Sequence, residues 1–437
     1  MIPTWLLILF ICGINFTVWG TIGVLRLLER RVAPMAAAQA PSSGAPAGVR
    51  TGEVAVLMAA HNEEVVISES LAALGELVDP EAVYVVSDGS TDRTVELADA
   101  AGVNVTETPA NVGKAGALEW GIRHFELAQR YQAVLLLDAD TRLDPGYLAA
   151  ALPLFDDPEV VAVAGCAVTD WRSSSSGFLA RVLTAHRGRV YALMQRLVKF
   201  GQAWRRTNAV QIVPGFASLY RASVLPKLEI NPPGLVIEDF NMTFEVYRRR
   251  LGKVGFTLAA RAVTQDPDRF RDYVRQVKRW TLGFWQSVRR HRPRADLFSI
   301  ALGAFIVELI IAGLVLVLLP VVLVLLVLAE VTAAVFTWPV IGDATQVVER
   351  YVSLNSLLLG VLLPDVVLTA LVAAVERRPG YLLWAPLYLP LRVIDAAIAL
   401  YTLPLALFRK SDGRWTSPTR REYIETPESA HSGRLLA

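Results

Sequence analysis

The run Ala133-Val134-Leu135-Leu136-Leu137-Asp138-Ala139-Asp140 decides the fold. Four large aliphatic residues in succession, ending abruptly in two acids, read as a strand buried on both faces whose last turn emerges at the carboxyl edge of a parallel sheet. Open α/β sheets bind their ligands at that edge. Two carboxylates one residue apart on the loop after such a strand suit a hard divalent cation, which keeps positions open for phosphate oxygens. A second Asp-x-Asp, Asp266-Pro-Asp268, has no strand pattern before it and is set aside.

Working outward, Val54 to Ala60 is an apolar strand ending at His61-Asn62-Glu63-Glu64. Ala82 to Val86 ends at Ser87-Asp88-Gly89-Ser90, and Val103 to Thr106 is followed by Asn111-Val112-Gly113-Lys114 opening a helix. Val160 to Val168 follows a helix starting near Pro145. Strands alternating with helices predict a mostly parallel, doubly wound sheet. Each polar cluster falls at a strand's carboxyl end, so His61, Asn62, Asp88, Lys114, Asp138 and Asp140 are expected to converge. They offer carboxylates for a base or a metal and an ammonium for a phosphate.

The 437-residue chain as a whole is too apolar for a soluble protein. Hydrophobic residues make up 53% and charged residues 19%, and the mean hydropathy is +0.40, with the excess at the two ends. Trp5 to Leu25 is uncharged over about 20 residues, enough to span a bilayer. Arg26, Arg30 and Arg31 after it place the next part of the chain on the cytoplasmic side. Further apolar stretches run from Ile300 to Ala329, Ser353 to Ala374 and Tyr381 to Phe408. Three simple crossings would leave the C-terminus outside, against the basic residues Arg409, Lys410, Arg414, Arg420 and Arg421. The proline-bearing first half of the last stretch is therefore expected to re-enter or lie in the interface. Glu308, Asp365 and Asp395 are costly in lipid and read as facing a bundle interior or a polar pathway. Ser173 to Arg206 is basic and amphipathic and reads as a helix near the membrane or in solvent. With only Cys12 and Cys166, no disulfide framework is expected, which fits a cytoplasmic domain. The net charge of +2 excludes nothing about partners, and nothing supports nucleic-acid binding.

At this point the chain resembles the membrane-embedded processive glycosyltransferases of family 2: cellulose, chitin, hyaluronan and poly-N-acetylglucosamine synthases. The resemblance spans Val54 to Gln286. It rests on Ala60-His61-Asn62-Glu63-Glu64, Ser87-Asp88-Gly89-Ser90-Thr91-Asp92, Asn111-Val112-Gly113-Lys114-Ala115-Gly116-Ala117, Asp138-Ala139-Asp140, Pro214-Gly215-Phe216-Ala217, Ile237-Glu238-Asp239 and Gln276-Val277-Lys278-Arg279-Trp280. The last of these, Gln-x-x-Arg-Trp, marks the processive branch. The chain departs from the family pattern at Ser87, where an acid is usual, and at Ile237, where Thr is common.

The resemblance implies an α/β GT-A (Rossmann-like) cytoplasmic domain with α-helical transmembrane segments. It divides the chain into an anchor (1–26), a linker (27–52), the GT-A domain (53–270), an interfacial region with the Gln-x-x-Arg-Trp motif (271–296), membrane or interfacial helices (297–408) and a basic tail (409–437). It implies that Asp88 holds the uracil with His61 and Asn62 beside it, and that Lys114 contacts the nucleotide. Asp140 becomes the ligand of Mg²⁺ or Mn²⁺ with Asp138 supporting, and Asp239 the general base next to Glu238. Gln276, Arg279 and Trp280 would hold the diphosphate and the acceptor sugar. Trp280, Phe284 and Trp285 also form an apolar stripe that would dock this helix on the membrane surface.

The expected activity is processive, inverting polymerisation of a β-linked glycan from a cytoplasmic UDP-sugar, UDP-N-acetylglucosamine first and UDP-glucose second, at the plasma membrane. Partners are the UDP-sugar donor, the growing glycan and the lipid bilayer, with room for a small accessory membrane subunit. Single transfer to a lipid acceptor is the alternative within enzymes, and a transporter or scaffold with a degenerate transferase domain the alternative outside them.

Overall fold

The computed structural model describes residues 3–37, 48–171, 177–335, 346–348, 350–408 and 421. An eight-stranded sheet organises the soluble part: β1 (Val54–Ala60), β2 (Val83–Ser87), β3 (Asn104–Glu107), β4 (Ala133–Asp138), β5 (Thr141–Leu143), β6 (Val160–Thr169), β7 (Ala217–Arg221) and β8 (Lys253–Thr264). Their order is β3-β2-β1-β4-β7-β6-β8-β5. The predicted core β3-β2-β1-β4 is parallel throughout. Every residue of β1 and β2 is buried, which is why these strands read as continuous apolar runs.

The second half of the sheet is mixed. β7 runs antiparallel to both β4 and β6, and β5 antiparallel to β8. Sequence patterns do not reveal β5, β7 or β8. The register of β8 against β6 is shifted at two places, which breaks any simple alternation. β8 ends at Thr264, so a strand does precede Asp266, contrary to expectation.

Helices α3 (Ile67–Gly75), α4 (Thr94–Ala100), α5 (Gly113–His124), α6 (Leu127–Arg130) and α7 (Tyr147–Ala151) come after the first two, α1 (Thr4–Cys12) and α2 (Ile14–Ala37). The expected single N-terminal anchor is thus two helices broken at Gly13, whose φ of 83° is open to glycine without strain. A Cβ there would lie 2.5 Å from Glu308 Oε1. The Glu308 carboxylate accepts from the Asn15 backbone N–H and from Asn15 Nδ2, both at 2.8 Å, so an anion caps the first turn of α2. Arg26, which directly follows the uncharged stretch, is turned into the protein. It is buried and donates to the carbonyls of Phe200 and Phe256, tying α2 to the sheet domain. The predicted linker begins as helix to Ala37; residues 38–47 lie outside the described residues.

α8 (Phe178–Leu193) continues through a π turn at Met194–Lys199 into α9 (Phe200–Gln202), and α10 (Asp239–Arg248) and α11 (Phe270–Arg290) complete the domain. α8 is exposed at its N-terminal end, at Phe178 and Leu179, and buried along its middle. His186, Arg187 and Arg189 are buried where it packs between the sheet and the C-terminal helices.

α12 (Leu297–Val335), the helical stretch α13 (Leu354–Val375) and α14 (Ala385–Phe408) provide three helices long and apolar enough to cross a membrane among the described residues. The start of the last predicted stretch, Tyr381, lies in a separate short helix, Gly380–Leu383, and α14 then runs unbroken with Pro390 and Pro404 inside it. The intramembrane acids pair. Asp365 accepts from Arg189 at 2.7 Å and from Arg392, and Asp395 from Tyr273 Oη at 2.5 Å and His186 Nε2 at 3.0 Å. Of the basic tail only Arg421 is described; its side chain donates to the Asp266 carbonyl.

Candidate active site

The predicted convergence forms at the carboxyl edge of β1, β2 and β4, with two additions from the antiparallel half. Pairing of Leu137 with Ala217 brings Pro214-Gly215-Phe216 beside β4, where Asp138 N–H donates to Phe216 O at 2.9 Å. The first turn of α10 then delivers Glu238 and Asp239.

Lys114 is the electrostatic centre. Its Nζ lies 2.6 Å from Asp138 Oδ1 and 3.1 Å from Glu238 Oε1, and it donates to Gly215 O at 3.0 Å. Burial pulls Lys114 down, but the two carboxylates outweigh it and hold the ammonium above its ordinary range. Gly215 leaves room for this pair: a Cβ would come within 2.8 Å of Glu238 Oε1 and 2.9 Å of Lys114 Nζ and displace one of them.

Three carboxylates share this cation and differ in environment. Burial works against Glu238, yet Lys114 and Arg279 hold its carboxyl below the usual range. Burial raises Asp138, as do the charges of Asp140 and Glu238. Burial and the Glu238 charge push Asp239 up to about 6, although its oxygens accept from the backbone N–H of Phe240 at 2.7 Å and of Gly215 at 3.4 Å. A carboxylate that titrates near neutrality beside one that stays ionised is the arrangement that suits a general base.

Asp138 and Asp140 fit a divalent cation. Burial first and then the Asp140 charge raise Asp138, and a bound cation would offset that repulsion. Among the described residues no group of three or more His, Cys, Asp or Glu stands at ligating distance. Two carboxylates completed by substrate phosphates and water is the way Mg²⁺ is ordinarily held.

Asp88, expected beside the uracil, lies at the end of β2 against the turn that opens α5. It is fully buried, and its oxygens accept from Val112 N–H, Gly113 N–H and Thr108 Oγ1 at 2.8, 2.8 and 2.9 Å. These bonds fix the turn that opens α5 and aims Lys114. Beside it, His61 Nδ1 is 2.7 Å from the Asp88 carbonyl oxygen, and the Asn62 side chain accepts from Thr91 N–H at 2.8 Å. His61 and Asn62 therefore brace the β1 and β2 loops at the rim of the edge.

Gln276, Arg279 and Trp280 share α11. Gln276 and Trp280 meet Arg187, which the sequence pattern assigns to a helix near the membrane or in solvent: Arg187 Nη2 donates to Gln276 Oε1 at 2.7 Å, and its guanidinium lies 4.4 Å from the Trp280 ring centroid and 4.7 Å from that of Tyr273. Arg279 is exposed and acts on Glu238 through its charge. Phe284 and Trp285 are buried against protein, with Trp285 Nε1 donating to Ala399 O of α14 at 2.9 Å. The apolar stripe thus docks α11 on the membrane helices, not on lipid. Pairing of Thr141 with Thr264 brings Asp266 alongside Asp140, where it accepts from Tyr191 Oη at 2.9 Å. The second Asp-x-Asp is the sequence signal that could have found it.

A family model described as glycosyl transferase family group 2 matches residues 133–407. Hyaluronan synthase of Streptococcus pyogenes is 24% identical over 259 residues, covering 54% of this chain and 57% of its own. Beta-monoglucosyldiacylglycerol synthase of Synechocystis is 29% identical over 213 residues, covering 44% of this chain and 42% of its own. The chain thus spans about half the length of the curated relatives it matches. A mannosyltransferase from Pyrobaculum calidifontis, solved with GDP-mannose and Mn²⁺, superposes with a TM-score of 0.50 at 18% identity over 88% of this chain and 99% of that one, which identifies the fold as GT-A.

Proposed function

Because the chain belongs to glycosyl transferase family group 2, we propose that it transfers a sugar from a UDP-sugar, with inversion, to an acceptor at the membrane. The observation that carries this is Lys114 bridging Asp138 and Glu238 at the sheet edge, with Asp239 next to Glu238 and accepting from the N–H of Gly215, whose carbonyl Lys114 holds.

Asp239 takes the proton of the acceptor hydroxyl as that oxygen bonds to the anomeric carbon and the bond to the diphosphate breaks. One base suffices for inversion, and no covalent nucleophile is needed. A positioned base contributes about 10² to 10⁴ fold. Mg²⁺ or Mn²⁺ held by Asp138 and Asp140 would offset charge on the diphosphate when bound. Lys114 and Arg279 add cationic groups on the same side. Gln276 and Trp280 supply a hydrogen-bonding edge and an aromatic face for the acceptor.

Two acceptors are supported by different observations. Gln276-Val277-Lys278-Arg279-Trp280 and the hyaluronan synthase relative support a growing β-linked glycan, with UDP-N-acetylglucosamine as the first donor to test and UDP-glucose the second. The pairing of Glu308, Asp365 and Asp395 with protein groups supports a lipid acceptor, since those acids are not left to line a hydrated path. In either case the transferase domain lies on the cytoplasmic side of the plasma membrane. The test is UDP release by the purified chain in detergent across a panel of UDP-sugars with Mg²⁺ or Mn²⁺, with the product sized. A long glycan supports the first acceptor, a single glycolipid the second, and silence with every donor removes the transferase reading.

A further inference from the structure

Beneath the motif helix lies an open-sided cavity of about 350 Å³ lined by α8, α11, α12, α13, α14 and the α1–α2 break. Val277 and Thr281, one residue beyond Gln276 and Trp280 respectively, form its upper wall. Its body is aliphatic, with Leu193, Leu309, Leu316, Leu368 and Ala396 among the lining side chains. A hydrated glycan strand needs hydrogen-bonding groups along its path, and here the charged groups that reach the cavity are each held by a protein partner. Arg189 and Arg392 hold Asp365, Glu308 holds Asn15, and Asp395 holds Tyr273 and His186.

The charges also balance. Arg187, Arg189 and Arg392 at the wall are matched by Glu308, Asp395 and the paired Asp365. An anionic head would upset that balance and a neutral one would not. One buried donor is left over: Arg187 is 4% exposed, lines the cavity, and its Nε–H has no partner among the described residues. A buried N–H without an acceptor is costly, and an oxygen delivered by a ligand would satisfy it. The same guanidinium touches Gln276 and Trp280, so the polar end of the cavity adjoins the acceptor side of the active site.

We propose that this cavity binds the hydrocarbon chain of an uncharged acyl lipid whose free hydroxyl is presented, past Arg187, to the active site as acceptor. The inference rests on the glycosyltransferase reading above and chooses its lipid branch. In the transfer, the lipid hydroxyl oxygen bonds to the anomeric carbon, its proton passes to Asp239, and the sugar's bond to the diphosphate breaks to release UDP.

The test uses the full chain in phosphatidylcholine nanodiscs, with and without dioleoylglycerol, supplied with UDP-glucose or UDP-N-acetylglucosamine and Mn²⁺. UDP release and chromatographed products are followed for the wild type, Ala396→Phe and Ala312→Phe, both of which place a ring in the cavity. Dioleoylglycerol is expected to stimulate UDP release and to appear glycosylated. Each filled variant should lose about tenfold or more of that stimulated rate, since overpacking excludes the chain, while retaining UDP affinity and lipid-independent UDP release. Retained UDP affinity shows that the variant is folded. Turnover that ignores the lipid and both fillings overturns the inference and leaves the transferase reading standing; no UDP release by the wild type with any UDP-sugar overturns both. Stimulation by polyprenyl phosphate alone would place an anion where a neutral head is proposed and would also overturn it.

Discussion

Lys114 Nζ sits 2.6 Å from Asp138 and 3.1 Å from Glu238, so one ammonium joins the end of β4 to the start of α10. Removing it would leave two partly desolvated acids facing each other. Lys114→Met is expected to cost about 3 kcal/mol of stability, the lower end of the range for breaking a buried pair, because Asp138 keeps 29% of its side-chain surface. Thermal unfolding in detergent checks this, and a melting point equal to the wild type's would remove Lys114 from the structural role.

Asp239→Asn keeps the shape of the α10 turn and loses the proton acceptor. Turnover should fall about 10² to 10⁴ fold, with UDP-sugar affinity retained by calorimetry. Activity near that of the wild type would exclude Asp239 as the base.

The rate should also carry the titration of that group. Asp239 is raised from 3.8 to about 6, and the base must be deprotonated, so kcat/KM should be level above that pH and fall with acidification below it, roughly tenfold per unit. The acid limb would disappear in Asp239→Asn. A limb near pH 4 would mean that burial and Glu238 do not control this carboxyl.

Asp140→Ala is expected to weaken Mn²⁺-dependent UDP binding by roughly tenfold or more, with metal-independent binding little changed. Titrating UDP with and without chelator separates the two, and an unaltered metal response would sink the assignment.

Asp365→Ala leaves Arg189 and Arg392 without their shared partner among membrane helices. A loss of about 3–5 kcal/mol is expected, read as a lowered unfolding midpoint. Replacing Asp365, Arg189 and Arg392 together by Leu should recover much of it, since the cost lies in the unpaired charge.

The halves of the sheet are not equally legible. β1, β2 and β4 can be read because strands buried on both faces are continuously apolar and stop at polar turns. β7 and β8 cannot, since Ala-Ser-Leu-Tyr-Arg carries no period and the bulges in β8 break its alternation. The same locality explains the anchor: its length and lack of charge are visible in the sequence, but Gly13 becomes a break only against Glu308, 295 residues away in the chain.

The sequence by itself determined the parallel core, the membrane-capable helices and which acids and cations gather at the sheet edge, because hydrophobic period and strand ends are local properties. Only the tertiary structure decided what each side chain does there. Asp88 spends its carboxylate on the turn before α5, and Arg187, 89 residues from Gln276, becomes its partner. Asp266 reaches Asp140 through a strand pairing. Those roles depend on which distant groups share a desolvated space, where an unpaired charge or donor is costly, and no local pattern records that.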